Sequence, residues 1–470
     1  MEQRSTQLLV LGAGPGGYAA AFRAADLGLD VMLVDPEPAP GGVCLYRGCI
    51  PSKALLHLAS VLEQARAAAA MGIDFAEPRV DLERVRSFKN SVVERLTGGL
   101  GQLARARRIA YVRGRGRLLD PHTAHVDCIE ANRVVVRFDH VVIATGSRPV
   151  VPEALQLDSP RVLTSSAALE LERIPERLLV VGGGYIGLEL ATVYAALGSR
   201  VTVVEATETL LPNMDRDLVR VLSRRLGERF EQILLSTEVK ALSEATEGVT
   251  AVLAGRDGER EEAFDAVLVA VGRRPNTSGI GLENTRVELD ERGFVKVDPA
   301  RRTAEPSVLA IGDVCGEPLL AHKATHEGIV AAETAAGQPA AFEPEAIPAV
   351  VFTDPELAWV GLDEAAAKAA GYEPATVRFP WQASGRAVSL GRTDGLTKLV
   401  VDRTSDRLLG VGIVGAGAGE LAGEAALAIE MGATATDLAA TIHAHPTLSE
   451  TLMEAAELAH GLSLHFRRQG

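Results

Sequence analysis

The sequence predicts an α/β protein with two nucleotide-binding units and a separate C-terminal α+β domain. Three observations support this fold class: one βαβ-like segment occurs twice, further apolar strands ending in turns follow each copy, and the composition changes near residue 338. At 470 residues the chain is too long for one compact core. A prior of about 150 residues per domain suggests about three domains.

The composition is that of an ordinary globular protein, with 47% hydrophobic and 23% charged residues. The formal net charge is −14, and the chain has no basic block of five or more residues. We therefore expect no nucleic-acid partner, because a phosphate-binding face needs clustered Lys and Arg. No apolar stretch approaches the ~20 residues that cross a bilayer, and no signal or transit segment is evident. The expected location is the cytoplasm.

The repeated segment extends from Leu8 to Asp35 and again from Leu178 to Glu205. In both copies an acidic residue follows the first glycine of the motif by 23 positions (35 − 12 and 205 − 182). Each copy has the pattern of buried strand, glycine turn, helix and second strand, which is the Rossmann-like nucleotide-binding unit. A lone glycine motif is weak evidence, whereas two complete copies at equal spacing are strong evidence.

Each glycine of the motif has a physical role. The first permits the tight turn, the second lets the backbone approach a pyrophosphate, and the third lets the helix pack closely on the strand. Free N–H groups and the helix dipole then hold the phosphates, and the terminal carboxylate can accept hydrogen bonds from a ribose. The alternative is that these glycines serve only as turns. The candidates are Gly12, Gly14, Gly17 and Asp35 in the first copy and Gly182, Gly184, Gly187 and Glu205 in the second.

Three further apolar strands end in turns, at VVIATGSRP (141–149), VLVAVGRRPNT (267–277) and SVLAIGDV (307–314). They supply the candidate cofactor contacts Thr145, Gly146, Gly272, Gly312 and Asp313, although the last two could form a plain turn. A Pro-rich, linker-like segment begins near residue 338. We divide the chain into a first nucleotide-binding domain (1–150), a second one (151–272), a return to the first (273–344) and a C-terminal domain (345–470).

Two of the four cysteines, Cys44 and Cys49, lie close together in GGVCLYRGCIPSKALLH. Half of a zinc site is one interpretation, but Cys128 and Cys315 are isolated and no four-ligand pattern appears. In a regular helix, Cα atoms five positions apart lie roughly 8–9 Å from each other, which exceeds the ~7 Å that a disulfide tolerates. The pair can therefore close only if the chain is irregular between them, and Gly48 offers that freedom.

A helix is predicted to begin beside the second cysteine. Pro51 suits a first helical turn, and PSKALLHLASVLEQARAAAA continues as a helix. Cys49 then lies near a helix N-terminus, where a thiolate is favoured and the pKa should fall. A low-pKa thiol within reach of a second thiol is what dithiol–disulfide exchange requires. We favour this interpretation over two buried, inert cysteines.

The cysteine string, followed much later by HAHPTLSE (443–450), resembles the flavoprotein disulfide reductases, and among them the dihydrolipoamide dehydrogenases. The resemblance covers essentially the whole chain. It implies that the first unit, with the turn at 312–313, holds FAD, that the second unit holds NAD, and that the C-terminal domain is the dimerisation domain of a homodimer. It also implies that dihydrolipoamide is reoxidised to lipoamide with NAD+ as acceptor. The implied partner is the lipoyl-bearing acyltransferase core of a 2-oxoacid dehydrogenase complex, or the glycine cleavage carrier protein.

The resemblance implies roles for four side chains near the flavin. Cys44 is the interchange thiol that reacts with the substrate, and Cys49 lies against the flavin. Lys53 lies near the flavin N5 edge and is paired with Glu189 from the second glycine helix. Lys53 and Glu189 could instead be ordinary helix residues without a catalytic role.

His445 is implied to be the acid–base residue, oriented by Glu450, in a site completed by the C-terminal domain of the partner subunit. His443 is an equally available imidazole, and a histidine before a proline can simply occupy a turn. Thr447 and Glu450 also have capping-box spacing, so Glu450 could serve only a helix end. We favour a catalytic His445, because dithiol exchange needs a base near neutral pH.

Some residues depart from the family pattern or narrow the choice within it. Asp35 stands where glutamate is more usual, and Tyr46 and Arg47 stand where an asparagine and a small apolar residue are common, which could alter redox poise or access.

Glu205 favours NAD over NADP, since a carboxylate repels a 2′-phosphate. No basic residue lies between Glu205 and Arg216, which argues against a glutathione reductase. The sequence has no second cysteine pair at its end, which argues against a mercuric reductase. A soluble transhydrogenase typically lacks the first cysteine pair, which is present here. A flavin-bearing binding subunit with little turnover is the alternative from another class.

Overall fold

The structure is a computed structural model, and it describes residues 2–129 and 133–467. Its strands are β1 (Glu2–Leu11), β2 (Val31–Asp35), β3 (Ala110–Asp120), β4 (Thr123–Cys128), β5 (Val134–Ile143), β6 (Ser147–Pro149), β7 (Val162–Thr164), β8 (Arg177–Val181), β9 (Arg200–Val204), β10 (Gln232–Leu234), β11 (Glu238–Ala245), β12 (Gly248–Gly255), β13 (Gly258–Phe264), β14 (Ala266–Val269), β15 (Arg273–Pro275), β16 (Val308–Ala310), β17 (Ala349–Val351), β18 (Glu356–Gly361), β19 (Pro374–Pro380), β20 (Leu396–Asp402) and β21 (Leu408–Gly415).

Helices separate the strands in the two repeated segments and cover one sheet near the end of the chain. They are α1 (Pro15–Asp26), α2 (Gly42–Arg47), α3 (Cys49–Ala67), α4 (Leu82–Ala106), α5 (Ser165–Ala168), α6 (Tyr185–Ala196), α7 (Arg216–Gly227), α8 (Ala321–Ala335), α9 (Glu364–Ala369), α10 (Gly385–Ser389), α11 (Ala418–Glu430), α12 (Ala435–Ala440) and α13 (Glu450–Ala459). The predicted α/β class is confirmed. Within the two described ranges, no helix is both long and apolar enough to span a bilayer.

The first sheet contains parallel strands in the order β3–β2–β1–β5–β16. Strands β3 and β5 extend beyond it and pair with β4 as an antiparallel meander. Parallel strands that are covered on both faces are apolar at consecutive positions, and β1 is buried throughout its last four residues. Leu8 and Val10 pack among alanines of α1 and α8, whereas Leu9 and Leu11 pack under the meander.

The second sheet has parallel strands in the similar order β10–β9–β8–β14–β7, but its outer strand β7 precedes the repeated segment in the chain, and the antiparallel meander of β11, β12 and β13 is a separate sheet. The repeated sequence segments form β1–α1–β2 in the first unit and β8–α6–β9 in the second. The outer strand β16 of the first sheet comes after the whole second unit in the chain. A two-stranded antiparallel sheet of β6 and β15 links the two units.

The C-terminal sheet is antiparallel, in the order β17–β18–β21–β20–β19. Side chains from α11, α12 and α13 share a core with it. At the centre of this core Trp381 is fully buried, and its indole Nε1 donates a hydrogen bond to Thr397 Oγ1 at 3.0 Å. Because its one polar atom is satisfied, the large ring stabilises the core without an unpaired donor.

Candidate active site

A cavity of about 690 Å³ collects most of the residues that the sequence singled out in the first unit and around the cysteines. The candidates that line it are Gly12, Gly14, Gly17, Asp35, Cys44, Cys49, Lys53, Thr145, Gly146, Glu189, Gly312 and Asp313. The other described candidates lie elsewhere: Gly182, Gly184, Gly187, Glu205 and Gly272 of the second unit, and His445 and Glu450 near the C-terminus. The single chain therefore brings the first glycine turn and the cysteine pair into one site.

The cysteine pair lies on either side of a break between two helices. Helix α2 ends at Arg47, Gly48 has φ −143° and ψ −115°, and α3 begins at Cys49. A Cβ at position 48 would lie 2.8 Å from the carbonyl oxygen of Val43, so a side chain does not fit there without a shift. The irregular backbone that the sequence predicted is present. Both Cys44 and Cys49 are free thiols, and their sulfurs are hydrogen-bonded.

The two thiols have opposite pKa shifts. The hydrogen bond from Cys44 lowers the pKa of Cys49 to about 7, against the effect of burial and with help from the ammonium of Lys53. The same hydrogen bond and then burial raise the pKa of Cys44. Cys49 also begins α3, where unpaired N–H groups favour negative charge. In the reduced pair, Cys49 is therefore the sulfur that carries the charge.

Lys53 and Glu189 form the pair that the sequence predicted, with Nζ 2.7 Å from Oε2. Glu189 is on α6 and is only 3% exposed. Its other carboxylate oxygen accepts the backbone N–H of Phe352 at 3.0 Å, and Lys53 Nζ lies 4.4 Å from the centre of the Phe352 ring. Sequence analysis missed Phe352, because it comes 163 positions after Glu189 and belongs to no motif.

The first glycine turn has the shape that a dinucleotide pyrophosphate requires. In the described chain, no side chain caps α1 and no acidic residue lies in its first turn, so its N–H groups are available to an anion. A Cβ added at Gly14 would meet no described atom within 4 Å, which leaves open space beside the turn. A Cβ at Gly17 would lie 1.8 Å from the carbonyl oxygen of Gly12, so that only glycine permits this packing. The residues present fit FAD.

The acidic residue of each unit fastens the second strand to the glycine turn. Asp35 accepts the backbone N–H groups of Ala13 at 2.7 Å and Glu37 at 2.9 Å. Glu205 makes the equivalent two hydrogen bonds at 2.7 and 2.8 Å. Burial raises the pKa of Asp35, and its two hydrogen bonds oppose this effect. Each carboxylate oxygen keeps a lone pair with which it can accept a ribose hydroxyl.

Side chains that sequence analysis missed hold the predicted turn at Gly312 and Asp313. The Gly312 N–H donates to Glu327 Oε2 at 2.6 Å, and the fully buried Glu327 is paired with Lys323 at 3.1 Å. The Asp313 carboxylate accepts the hydroxyl of Ser147. The four-residue spacing of Lys323 and Glu327 on α8 was the available sequence signal, since it is typical of helix ion pairs.

The predicted turns at Thr145–Gly146 and at Gly272 are hydrogen-bonded to each other's neighbouring segments, at Asn276 and Val150. The hydroxyl of Thr145 donates to the carbonyl of Asn276 at 2.7 Å, and the Asn276 amide returns a bond to the Thr145 carbonyl at 2.9 Å. The Gly146 carbonyl accepts the Asn276 N–H at 2.9 Å. The Gly272 carbonyl accepts the N–H of Val150 at 3.0 Å. These bonds link the wall of the cavity to the second sheet.

The structure gives different surroundings to His445, which the sequence analysis favours, and to the alternative His443. His443 is only 5% exposed in its side chain, and its two ring nitrogens lie 2.9 Å from the Thr441 carbonyl and 2.7 Å from Glu424 Oε1. The side chain of His445 is 73% exposed, and its Nδ1 lies 2.8 Å from Glu450 Oε1. Its Nε2 has no hydrogen-bond partner among the described residues. His445 is therefore the more exposed of the two imidazoles.

Glu450 serves both the histidine and the helix start. Its second oxygen accepts the Thr447 N–H at 2.7 Å, which is one half of a capping box. The other half is missing in the described chain, since the Thr447 hydroxyl donates to the Ala444 carbonyl and α13 begins only at Glu450. Burial alone would raise the pKa of Glu450, but the Thr447 N–H and the bond with His445 outweigh it and lower the pKa. Glu450 is thus a carboxylate that can orient an imidazole.

The two residues between the cysteines contact the loop after Asp35. The Tyr46 hydroxyl donates to the carbonyl of Ala39 at 3.0 Å and lies 3.2 Å from its N–H, and the Arg47 guanidinium pairs with Glu37. These contacts fix the path of the loop beside the cavity. They give Tyr46 a structural role in that loop.

The chain belongs to the pyridine nucleotide-disulphide oxidoreductase family: residues 6–328 match its model, and residues 347–456 match its dimerisation domain. Within this family, the chain is similar to proteins named dihydrolipoyl dehydrogenase. That of Vibrio cholerae is 48% identical over 456 residues, which cover 97% of this chain and 96% of the relative. That of Thermus scotoductus is 45% identical over 465 residues, which cover 98% and 99% of the two chains. The resemblance found in the sequence is confirmed.

Solved structures show the same architecture. LpdA from Mycobacterium tuberculosis has a TM-score of 0.89 at 27% identity, covering 98% of this chain and all of that one. The HOCl-induced flavoprotein disulfide reductase RclA from Escherichia coli has a TM-score of 0.85 at 28% identity, covering 96% and 99% of the two chains. The predicted arrangement of two nucleotide-binding units and a dimerisation domain is confirmed. The family uses FAD and NAD, the two cofactors that the sequence predicted.

Proposed function

We propose that this protein reoxidises protein-bound dihydrolipoamide to lipoamide with NAD+ as acceptor, through a redox disulfide of Cys44 and Cys49 and a bound FAD. The observation that carries the proposal is the single cavity shared by the first glycine turn and a cysteine pair in which Cys49 has a lowered pKa. The choice of substrate is supported by near full-length relatives that are named dihydrolipoyl dehydrogenase.

FAD, when bound, supplies the two-electron relay between the cysteine pair and NAD+. We assign the FAD contacts to Gly12, Gly14, Gly17, Asp35, Lys53, Thr145, Gly146, Gly312 and Asp313. We assign the NAD contacts to Gly182, Gly184, Gly187, Glu205 and Gly272. The open space beside Gly14 and the uncapped N-terminus of α1 support the first assignment.

We assign the acid–base role to His445 of the partner subunit, in a homodimer. The dimerisation domain supports the homodimer, and the exposure of the imidazole supports its availability to another chain's cavity. Glu450 holds the imidazole through Nδ1, so that Nε2 is the nitrogen that exchanges a proton with the substrate.

The substrate half-reaction begins with Cys44 and Cys49 joined as a disulfide. Nε2 of the imidazole takes a proton from one dihydrolipoamide thiol, and the resulting thiolate attacks Cys44 Sγ. The disulfide bond breaks as the mixed disulfide forms, and Cys49 leaves as a thiolate that Lys53 and the start of α3 stabilise. The second substrate thiol then attacks the substrate sulfur of the mixed disulfide. Lipoamide leaves as its bond to Cys44 breaks, and Cys44 becomes a thiol with the proton held by the imidazole. Nε2 takes the proton of the second substrate thiol, so that the half-reaction ends with a Cys44 thiol, a Cys49 thiolate and a protonated imidazole, and two electrons have moved to the cysteine pair.

The proposed partner is the lipoyl-bearing acyltransferase core of a 2-oxoacid dehydrogenase complex or the glycine cleavage carrier protein. The names of the relatives support a lipoyl substrate and leave the choice between these two open. A cytoplasmic location and the division of the chain at residues 150, 272 and 344 are part of the same proposal.

Acceptor specificity tests the proposal directly. The purified protein should oxidise NADH fastest with lipoamide, compared with glutathione disulfide and Hg(II). Cys44→Ser should abolish lipoamide turnover and keep FAD bound, whereas Cys128→Ser, at the edge of the first sheet, should leave both unchanged. Full turnover in Cys44→Ser would contradict the redox pair. A yellow parent protein without turnover would favour the alternative of a binding subunit.

A further inference from the structure

Phe352 contacts both members of the Lys53–Glu189 pair from a third part of the chain. It directly follows β17 in the C-terminal domain. Its backbone N–H donates to Glu189 Oε1 at 3.0 Å, and its ring centre lies 4.4 Å from Lys53 Nζ. The redox helix α3, the second glycine helix α6 and the C-terminal domain therefore meet at one ion pair, of which Glu189 is buried.

The ring changes the surroundings of the Lys53 ammonium. Its distance is inside the ~6 Å at which an aromatic face attracts a cation. The side chain of Lys53 is 32% exposed and that of Glu189 only 4%. Because the ring lies against the ammonium, it occupies space in which water would otherwise hydrate the charge. A less hydrated ammonium acts on a neighbouring sulfur through a lower effective dielectric constant, and its influence on Cys49 is stronger for that reason.

The position of Phe352 is fixed from both sides along the chain. Val351 is buried in a core that also contains Leu55 of α3. Thr353 is buried as well, and its hydroxyl donates to the carbonyl of Pro355 at 2.8 Å. Because both neighbours are held, the ring has little freedom to move away from Lys53.

We propose that Phe352 is a positioning residue for the dithiol chemistry: its ring and its backbone N–H hold Lys53 and Glu189 so that the ammonium charge acts on Cys49. This inference rests on the proposed redox function of the cysteine pair and deepens it. The C-terminal domain then has two roles in the thiol chemistry. It carries the imidazole that serves the partner subunit, and through Phe352 it positions the Lys53–Glu189 pair of its own subunit.

The test measures the pH midpoint of the long-wavelength thiolate–flavin absorbance of the holoenzyme after anaerobic reduction with one equivalent of NADH. Phe352→Leu removes the ring and keeps the N–H bond to Glu189. It should raise the midpoint by about half a pH unit, which is about a threefold change in thiol acidity. Phe352→Tyr keeps the ring and should keep the midpoint of the parent protein.

Three controls separate positioning from general destabilisation. Phe294→Leu removes a ring that lies 5.2 Å from the guanidinium of Arg292, and it should leave the midpoint unchanged. Replacement of Phe352 by 3,4,5-trifluorophenylalanine keeps the shape but weakens the attraction for a cation, and should raise the midpoint even if the leucine variant does not fold. In a Lys53→Met background, Phe352→Leu should add no further shift.

An unchanged midpoint in the trifluorinated protein overturns the proposal, as does an equal shift in Phe294→Leu or a full further shift in the Lys53→Met background. Failure of the proposed function can be distinguished from failure of the role proposed for Phe352. A parent protein that shows the thiolate band but does not turn over lipoamide contradicts the substrate and leaves the role of Phe352 standing. A parent holoenzyme without the band contradicts both.

Discussion

The two glycine units have the same strand order and the same turn but different neighbours. In the first unit Gly16 follows the turn, and a Cβ there would lie 2.9 Å from the carbonyl of Ala324, so that α8 can cross α1 closely. Gly328 on α8 provides the other side of this contact, since its Cβ would lie 2.4 Å from the Gly16 carbonyl. In the second unit the equivalent position is Ile186, and α6 instead contacts α3 through Glu189.

This difference decides what each turn faces. The first turn shares a cavity with the cysteines, whereas the second unit contributes Tyr185, Ile186, Glu189 and Leu190 to that cavity but none of its motif glycines. The same local motif therefore has different surroundings in the two units, and a residue between its glycines (Gly16 or Ile186) contributes to that difference.

The largest expected effect comes from the same substitution in the two turns. Gly12 and Gly182 have φ of +100° and +109°, and a Cβ would lie 2.3 and 2.5 Å from a carbonyl oxygen. Backbone strain of this kind costs on the order of 1–3 kcal/mol before the clash is counted, so each affinity should fall at least about tenfold. Gly12→Ala should lose flavin, and Gly182→Ala should keep flavin but lose its reduction by NADH. Flavin absorbance per chain and anaerobic NADH titration measure the two outcomes, and equal flavin loss in both variants would break the comparison.

The second prediction concerns the charge pair through which the second unit reaches the cysteines. The pKa of Cys49 is about 7, Lys53 lowers it and Glu189 raises it. The thiolate therefore predominates above pH 7 and is lost as the pH falls through that value. Lys53→Met should move the midpoint of the thiolate–flavin band upward, and Glu189→Gln should move it downward, each by up to about one pH unit. Shifts of the same sign in the two variants would contradict this arrangement, and the exposed Lys240→Met should cause none.

Local patterns made part of the site predictable from sequence. The glycine spacing fixes the two turns, because the first and third glycines of each motif meet a steric requirement that no other residue meets. The break at Gly48 was predictable for the same reason, since two cysteines five positions apart cannot meet on a regular helix. The pairing of Lys53 with Glu189 needed the resemblance to a family, because nothing local joins two positions 136 residues apart.

Contacts between distant segments account for what the sequence did not reveal. Phe352 and Glu327 are ordinary residues in sequence, and their roles arise only where separate elements pack together. The difference between His443 and His445 also arises from a contact between distant segments. Glu424 on α11 is a hydrogen-bond partner of His443, and only the fold brings these two residues together. Sequence patterns therefore predict turns and helix starts better than they predict the partners of a side chain.

A smaller effect is expected for nucleotide choice. Glu205→Gln removes the charge that repels a 2′-phosphate and keeps an acceptor for one of the two backbone N–H groups that Glu205 accepts. The ratio of kcat/KM for NAD+ to that for NADP+ should fall about tenfold, the equivalent of roughly 1.4 kcal/mol. Asp35→Asn is the matched change in the first unit, and it should weaken flavin binding without altering that ratio. A change of the ratio in Asp35→Asn would mean that the two units are not assigned to different nucleotides.

The smallest effect is expected in the loop that follows the acidic residue of the first unit. The hydroxyls of Tyr46 and Tyr111 both bond to this loop, at the Ala39 and Glu37 carbonyls, but only Tyr46 lies between the cysteines. If Tyr46 serves the loop alone, Tyr46→Phe and Tyr111→Phe should each lower the free energy of unfolding by about 1 kcal/mol and leave lipoamide turnover unchanged. Denaturant unfolding and steady-state kinetics check the pair. A fall in turnover confined to Tyr46→Phe would show that the segment between the cysteines tunes the thiols directly, and that the loop contact is not its main role.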